Sequence, residues 1–202
     1  MTDNLYAPPQ ADMSKTPVAA GSDDSFYVVS QRKFTLMFIL TFTLYLYYWF
    51  YKNWANYKKQ CQLQNAADSD IWPVPRAIFA IFFIHSLFRN VDQHAEAKQR
   101  PLGWNVGAHA TWLVVMLVIT NLANGVITTI FGQVLGSLVT IGLLAGICYS
   151  LRSAQAYINK SCGDPEGARN NRLTTANYVW MAAGIILWLL IIFSAASTGV
   201  SA

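Results

Sequence analysis

The chain has 202 residues, 54% of them hydrophobic and 12% charged, with a formal net charge of +4. Soluble domains carry about 25% charged residues, whereas here no Asp, Glu, Lys or Arg occurs from Pro101 to Leu151 or from Leu173 to Ala202. A water-soluble helix needs a polar face, so the composition excludes an ordinary soluble domain, and the length suits one membrane domain alone.

Residues 1–24 are rich in Pro, Ala, Ser and Asp, with too few apolar residues to form a core. They predict a disordered tail, in which Leu5-Tyr6-Ala7-Pro8-Pro9 is the one candidate docking peptide. Residues 25–202 form the membrane domain. Its first apolar segment is 34–51, 18 residues that as a helix reach roughly 27 Å, close to the hydrocarbon thickness of a bilayer. The run ends in Tyr47-Tyr48-Trp49-Phe50-Tyr51, where a signal peptidase would need small residues. The expectation is a retained anchor. Trp49, Lys52, Trp54, Lys58 and Lys59 then read as an interfacial belt of amphipathic rings and lysines against anionic headgroups. The same residues offer a stacking surface for single-stranded nucleic acid, but an anchor explains them, and no nucleic-acid partner is expected.

The second apolar segment, 77–88, lies between Arg76 and Arg89 and has 12 residues. At about 18 Å it is too short to cross a bilayer by itself. It is re-entrant, interfacial, or a span whose arginines snorkel. Pro73 and Pro75 limit its extension upstream.

Residues 89–100 are polar and compatible with helix. They hold the only cluster of catalytic residue types: His85, Arg89, Asp92, His94 and Glu96. On one helix, positions 85, 89, 92 and 96 share a face, and such groups bind metals or move protons. The spacing matches no motif with a known mechanism, so the expectation is a solvated, salt-bridged helix. No metal, cofactor or catalytic residue is assigned.

Segments 111–131 and 134–151 are separated only by Gly132-Gln133, which predicts an antiparallel helical hairpin. Asn121, Asn124 and Thr128 share a face of the first helix beside Gly125. Amides in hydrocarbon are costly unless bonded. Bonds to a neighbouring helix are the plain explanation, and a polar site for an ion or a headgroup is the functional one. Gly132, Gly136, Gly142 and Gly146 give the second helix two rows of small residues for close packing. Cys162-Gly163-Asp164-Pro165-Glu166-Gly167 reads as a turn, and 178–196 as the last membrane segment. Cys61, Cys148 and Cys162 are odd in number and widely spaced, which suggests neither a zinc motif nor a disulfide framework.

The fold class expected is therefore all-α, a polytopic helix bundle with four full spans plus the short helix 77–88. If 77–88 spans, ten of the 14 Lys and Arg fall on one side of the membrane; if it does not, eleven do. The charge bias does not choose between these arrangements, and the side of the N-terminus stays open. Both put 89–108 and 152–177 in the cytoplasm.

Tyr6-Ala7-Pro8-Pro9, the stretch from Phe26 to Phe34, Tyr48-Trp49-Phe50-Tyr51-Lys52-Asn53-Trp54, Arg76-Ala77-Ile78-Phe79 and Cys162-Gly163-Asp164-Pro165 with Asn171-Arg172 and Ala176-Asn177-Tyr178 occur together. In this combination the chain resembles a family of small polytopic inner-membrane proteins of Gram-negative bacteria, one without an assigned activity. The resemblance implies a bacterial inner-membrane location and carries over no catalytic residue. The function expected is non-enzymatic, through contacts with the bilayer, anionic headgroups, a membrane-protein partner or a second copy. A small transporter or channel using the polar face of the third segment is one alternative, and a lipid-modifying enzyme using the His85–Glu96 face is another.

Overall fold

In the computed structural model, which describes residues 23–122 and 124–199, every regular element is helical. The helices are α1 (Gln31–Leu40), α2 (Tyr45–Leu63), α3 (Pro73–Ile78), α4 (Ala80–Ala97), α5 (Val106–Leu122), α6 (Asn124–Ser161) and α7 (Thr175–Gly199). Within α6, Gly132 leaves helical geometry at φ 73°, ψ 170° and turns the chain back on itself. One helix, Val134–Ser161 with 28 residues, is clearly long and apolar enough to cross a membrane. Val106–Leu122 passes the same test only together with Gly125–Gly132, across a bend of 63°. The helical part of α7 from Thr175 to Ile191 is apolar but shorter.

The first apolar segment corrects the expectation of an uninterrupted span over 34–51. The helix stops at Leu40, and Phe42 and Thr43 both take left-handed backbone, at φ 52° and 63°. Thr41 joins the two ends. Its hydroxyl donates to the Met37 carbonyl (2.7 Å) and accepts from the Tyr45 amide (3.0 Å). It thereby closes α1 and caps the first turn of α2.

Contacts along α6 show that α1 and α2 form a hairpin. Gln31 bonds the Arg152 carbonyl (3.1 Å) at the start of α1. Phe38 and Thr43 lie beside Leu144 near the tip. On the way back, Trp49 Nε1 donates to Gln155. The second hairpin has the same design. Tyr57 on α2 bonds Asp68 (3.0 Å) before α3, the chain reverses at Phe79 (φ −96°, ψ 38°), and α4 climbs again to His94 and the end of α6. Pro73 and Pro75 sit in the first turn of α3, where a missing N–H is tolerated. Segment 77–88 is thus the tip of a hairpin together with the lower half of α4.

The core is aromatic and lies where the hairpins meet α5 and α6: Phe26, Phe34, Trp49, Phe50, Trp54, Phe88 and Leu113 are almost fully buried. The helix expected over 134–151 continues to Ser161, so its last turns carry Arg152, Gln155 and Asn159 beyond the apolar stretch and into the charged end of the molecule. Among the described residues α7 packs on α1 and on no other helix.

Candidate functional site

The densest polar structure is a clamp around an extended strap, residues 23–30, at the charged end. An extended segment without a strand partner leaves its backbone groups to be satisfied by other means. Asn53 Oδ1 accepts from the Tyr27 amide (3.1 Å), and Gln155 Nε2 donates to the Tyr27 carbonyl (3.0 Å). Asn159 bonds both backbone groups of Val29, at 3.2 and 2.9 Å. Asn170 Nδ2 donates to the Val28 carbonyl (3.0 Å). The amides also brace each other: Gln155 donates to Asn159 (2.7 Å), and Asn53 to the Trp49 carbonyl (2.9 Å). Asn53, Gln155 and Asn159 are fully buried, and fully bonded buried polar groups of this kind define a single arrangement of the core.

Asp23 anchors the start of the strap. Its carboxylate meets His94 Nε2 (2.8 Å) and Arg100 (3.4 Å), and Arg100 also donates to the Ser161 carbonyl (2.8 Å). Burial would raise the Asp23 pKa, but hydrogen bonds from His94 and Ser25 outweigh it and hold the carboxyl well below the usual carboxylate range. The Cys162 thiol nearby is pushed up to about 11, by burial first and then by the charge of Asp23, so it stays protonated and unreactive at neutral pH.

The structure disperses the ionisable face of α4. His94 belongs to the strap anchor, while His85 bonds Thr111 on α5 (3.1 Å). Arg89 and Glu96 are exposed, and among the described residues no ion pair joins Arg89, Asp92 and Glu96 to one another. The nearby His109 accepts from Trp104 Nε1 at Nδ1 (2.8 Å). Its proton therefore sits on Nε2, which donates to the Ser150 carbonyl (3.0 Å) and lies 2.8 Å from the Ser150 hydroxyl. This is a tie between the 101–105 connection and α6. Among the described residues no group of three or more His, Cys, Asp or Glu is placed to hold a metal ion.

The aromatic belt separates into two faces. Trp49 and Trp54 are fully buried, against the expectation of rings at the lipid interface, while Tyr47, Tyr48 and Tyr51 are exposed. Lys58 and Lys52 are half-buried and Lys59 is exposed. The Arg76 guanidinium covers the Trp54 ring (4.4 Å to the centroid) and lies 5.1 Å from the Phe83 ring. It belongs with the core face rather than with the solvent.

Asn121 Nδ2 donates to the Leu117 carbonyl one turn back (2.8 Å), and Thr120 bonds the Met116 carbonyl (2.8 Å). The side chains of Asn124 and Thr128 lie outside the described residues. Thr120 and Asn121 face a cavity of about 260 Å³. Thr43 from the first hairpin tip and Ile78 and Ala80 from the second line the same cavity, so three helix interruptions converge on it.

The small-residue rows of α6 do different things. A Cβ on Gly146 would come within 2.7 Å of the Met116 methyl, Gly136 is buried, Gly142 faces open space, and Gly132 makes the turn. A tighter contact lies elsewhere: Gly184 on α7 rests on the backbone of Leu40 and Thr41.

The clamp is not among the sites that the sequence predicts. Gln155 and Asn159, one turn apart on a helix otherwise leaving the apolar stretch, are the signal that pointed to it. Comparison of the chain with family models, with curated proteins and with solved structures returned no match.

Proposed function

We propose that the chain is a multi-pass protein of the bacterial inner membrane that acts without catalysis, through contacts with lipid and with membrane proteins. In this reading α5 with its bent continuation, Val134–Leu151 and α7 cross the bilayer. The two hairpins enter only the cytoplasmic leaflet and leave by the side they came from.

The observation that carries the reading is the depth of the hairpin tips. Thr43 and Ala80 share a cavity with Leu144, near the middle of the apolar stretch of α6. Broken helices at such depth are tolerated where they are buried against other helices or line a cavity. With both hairpins re-entrant, none of the 14 Lys and Arg falls on the far side of the membrane, and Arg76 lies near the second tip, covered by the Trp54 and Phe83 rings. That is a far stronger bias than either arrangement with an odd crossing before α5, and it supports a cytoplasmic charged end.

Single-cysteine labelling tests the topology, because Cys61, Cys148 and Cys162 are all buried and give a low background. Gln64→Cys, Lys98→Cys and Glu166→Cys are expected to react with an impermeant thiol reagent from the cytoplasmic side only, and Phe131→Cys, beside the turn at Gly132, only from the other. Labelling of positions 64 and 98 from opposite sides overturns the reading.

A second reading, a small transporter or channel, is favoured by the cavity where both tips meet Thr120 and Asn121. Discontinuous helices around a site at the bilayer midplane are the pattern of many transporters. Replacement of Asn121 by Leu then abolishes flux of the transported solute in liposomes. Unchanged flux of every solute carried by the wild type ends this reading.

A further inference from the structure

α7 touches the first hairpin closely near its own middle and diverges from it toward the charged end. The close point is Gly184, where a Cβ would collide with the backbone of Leu40 and Thr41. Trp188 Nε1 locks the same region by donating to the Ile39 carbonyl (2.9 Å). Above it the two elements leave a groove of about 520 Å³, with Met37, Thr41, Leu44 and Tyr48 on one wall and Asn177 and Trp180 on the other. The volume lies in the range of small-ligand sites, about 300–1,000 Å³. The lining is apolar toward the closed end, and polar groups gather toward the start of α7.

Lys33 completes the picture. Lys33 lies one turn before Met37 on α1, toward the charged end; it is near the groove without lining it, and reaches its border through the Arg172 carbonyl, two residues before Thr174. It is buried, with 5% of its surface exposed. Its ammonium donates to Asn170 Oδ1 (2.7 Å) and to the Arg172 carbonyl (2.7 Å), both neutral acceptors. Among the described residues no carboxylate pairs with it. An ammonium has three donors, and a buried cation without an anion is costly. Arg172, exposed, adds a second cation two residues before Thr174, which also borders the groove.

An apolar groove with two cations near its border at the start of α7 fits an anionic amphiphile. We propose that the groove binds one phospholipid of the cytoplasmic leaflet, with its phosphate near Lys33 and Arg172 and one acyl chain along Met37, Leu44 and Trp180. The proposal rests on the membrane orientation given above and names the lipid contact that orientation leaves unspecified.

The test uses the full chain reconstituted in vesicles of equal phosphatidylglycerol and phosphatidylcholine, extracted into mild detergent and weighed by native mass spectrometry. The wild type is expected to retain one phospholipid per chain, with phosphatidylglycerol enriched. Ala176→Phe fills the groove from α7 and Leu44→Trp from the hairpin. Each is expected to lower the retained fraction about tenfold, the change that about 1.4 kcal/mol of lost binding produces. Ala183→Phe, outside the groove on α7, leaves retention unchanged. Lys33→Gln removes the preference for phosphatidylglycerol. Wild-type retention in both filling variants overturns the proposal, as does a wild type that carries detergent only. A chain that never enters the vesicles overturns the membrane orientation instead, a result distinct from an inserted chain without lipid.

Discussion

Asn159 pairs with the backbone of Val29 through both ends of its side-chain amide. The oxygen accepts from the Val29 amide (3.2 Å), and the nitrogen donates to the Val29 carbonyl (2.9 Å). A side chain 130 positions away in sequence thus does for the strap what a neighbouring strand does in a sheet. All partners are buried, so the bonds cannot be exchanged for water when one side is lost.

Asn159→Leu should therefore cost about 2–6 kcal/mol, since it leaves two buried backbone groups unsatisfied at about 1–3 kcal/mol each. The expected outcome is a lower unfolding temperature in detergent and faster tryptic cleavage after Arg32. Asn170→Ala is the milder control, because it removes one bond to the Val28 carbonyl and one to Lys33 at a half-buried position. Equal protease resistance in wild type and Asn159→Leu would show that the strap is held by packing of Phe26 and Val29 alone.

The anchor of the strap predicts a pH dependence. Burial acts to raise the Asp23 pKa, but the bonds from His94 and Ser25 prevail and depress it in the folded state. A depressed carboxylate contributes stability that is complete above its unfolded value, about 3.9, and is lost as the pH falls through the folded value. Asp23 should thus stabilise the protein undiminished from neutrality down to about pH 4, and the contribution should fade only under stronger acid. Asp23→Asn should lower stability across the neutral range while flattening the acid limb of the profile. Thermal melts at a series of pH values measure both effects, and parallel profiles for the two proteins would contradict the assignment.

The sequence shows the apolar segments, the charge-free stretches and the turn at Gly132 directly, because composition and glycine report them. The break in the first segment is invisible by the same rules. Thr41-Phe42-Thr43-Leu44 contains neither Gly nor Pro, and the left-handed residues are Phe and Thr, which seldom adopt that backbone. What makes the turn is the Thr41 hydroxyl, whose two bonds exist only once both helices are in place. The aromatic run failed for another reason: its composition matches an interfacial belt, but the helical period divides it. Trp49, Phe50, Asn53 and Trp54 fall on one face and Tyr47, Tyr48 and Tyr51 on another. Asn53 inside the apolar stripe was the legible hint that this face is core. The charge count is readable throughout, yet on the proposed membrane reading its meaning depends on how often the chain crosses before α5.

The tip of the first hairpin is testable by relieving its strain. A non-glycine residue in left-handed backbone costs roughly 1–2 kcal/mol, and Thr43 sits there at φ 63°. Thr43→Gly should raise the unfolding temperature slightly or leave it unchanged, although Gly also gains freedom in the unfolded chain. Thr41→Val keeps the shape but removes the cap on Tyr45, and should cost about 1 kcal/mol. If 34–51 were a continuous helix, the order would reverse: Thr43→Gly would destabilise a helix interior, and Thr41→Val would be nearly neutral. Melting both variants side by side decides between the two geometries.

The two close glycine contacts should answer differently to the same change. At Gly146 a new methyl meets the far end of the Met116 side chain, which can move aside, so Gly146→Ala should cost little and improve the helix propensity of α6. At Gly184 the obstacle is the backbone of Leu40 and Thr41, which cannot yield without opening the hairpin tip. Gly184→Ala should therefore displace α7 from the hairpin tip, since among the described residues α1 is the one helix that α7 packs on. Hydrogen exchange of the backbone amides from Thr41 to Tyr45 should be unchanged in Gly146→Ala and faster in Gly184→Ala. Similar exchange in both would mean that this contact does not hold α7 in place.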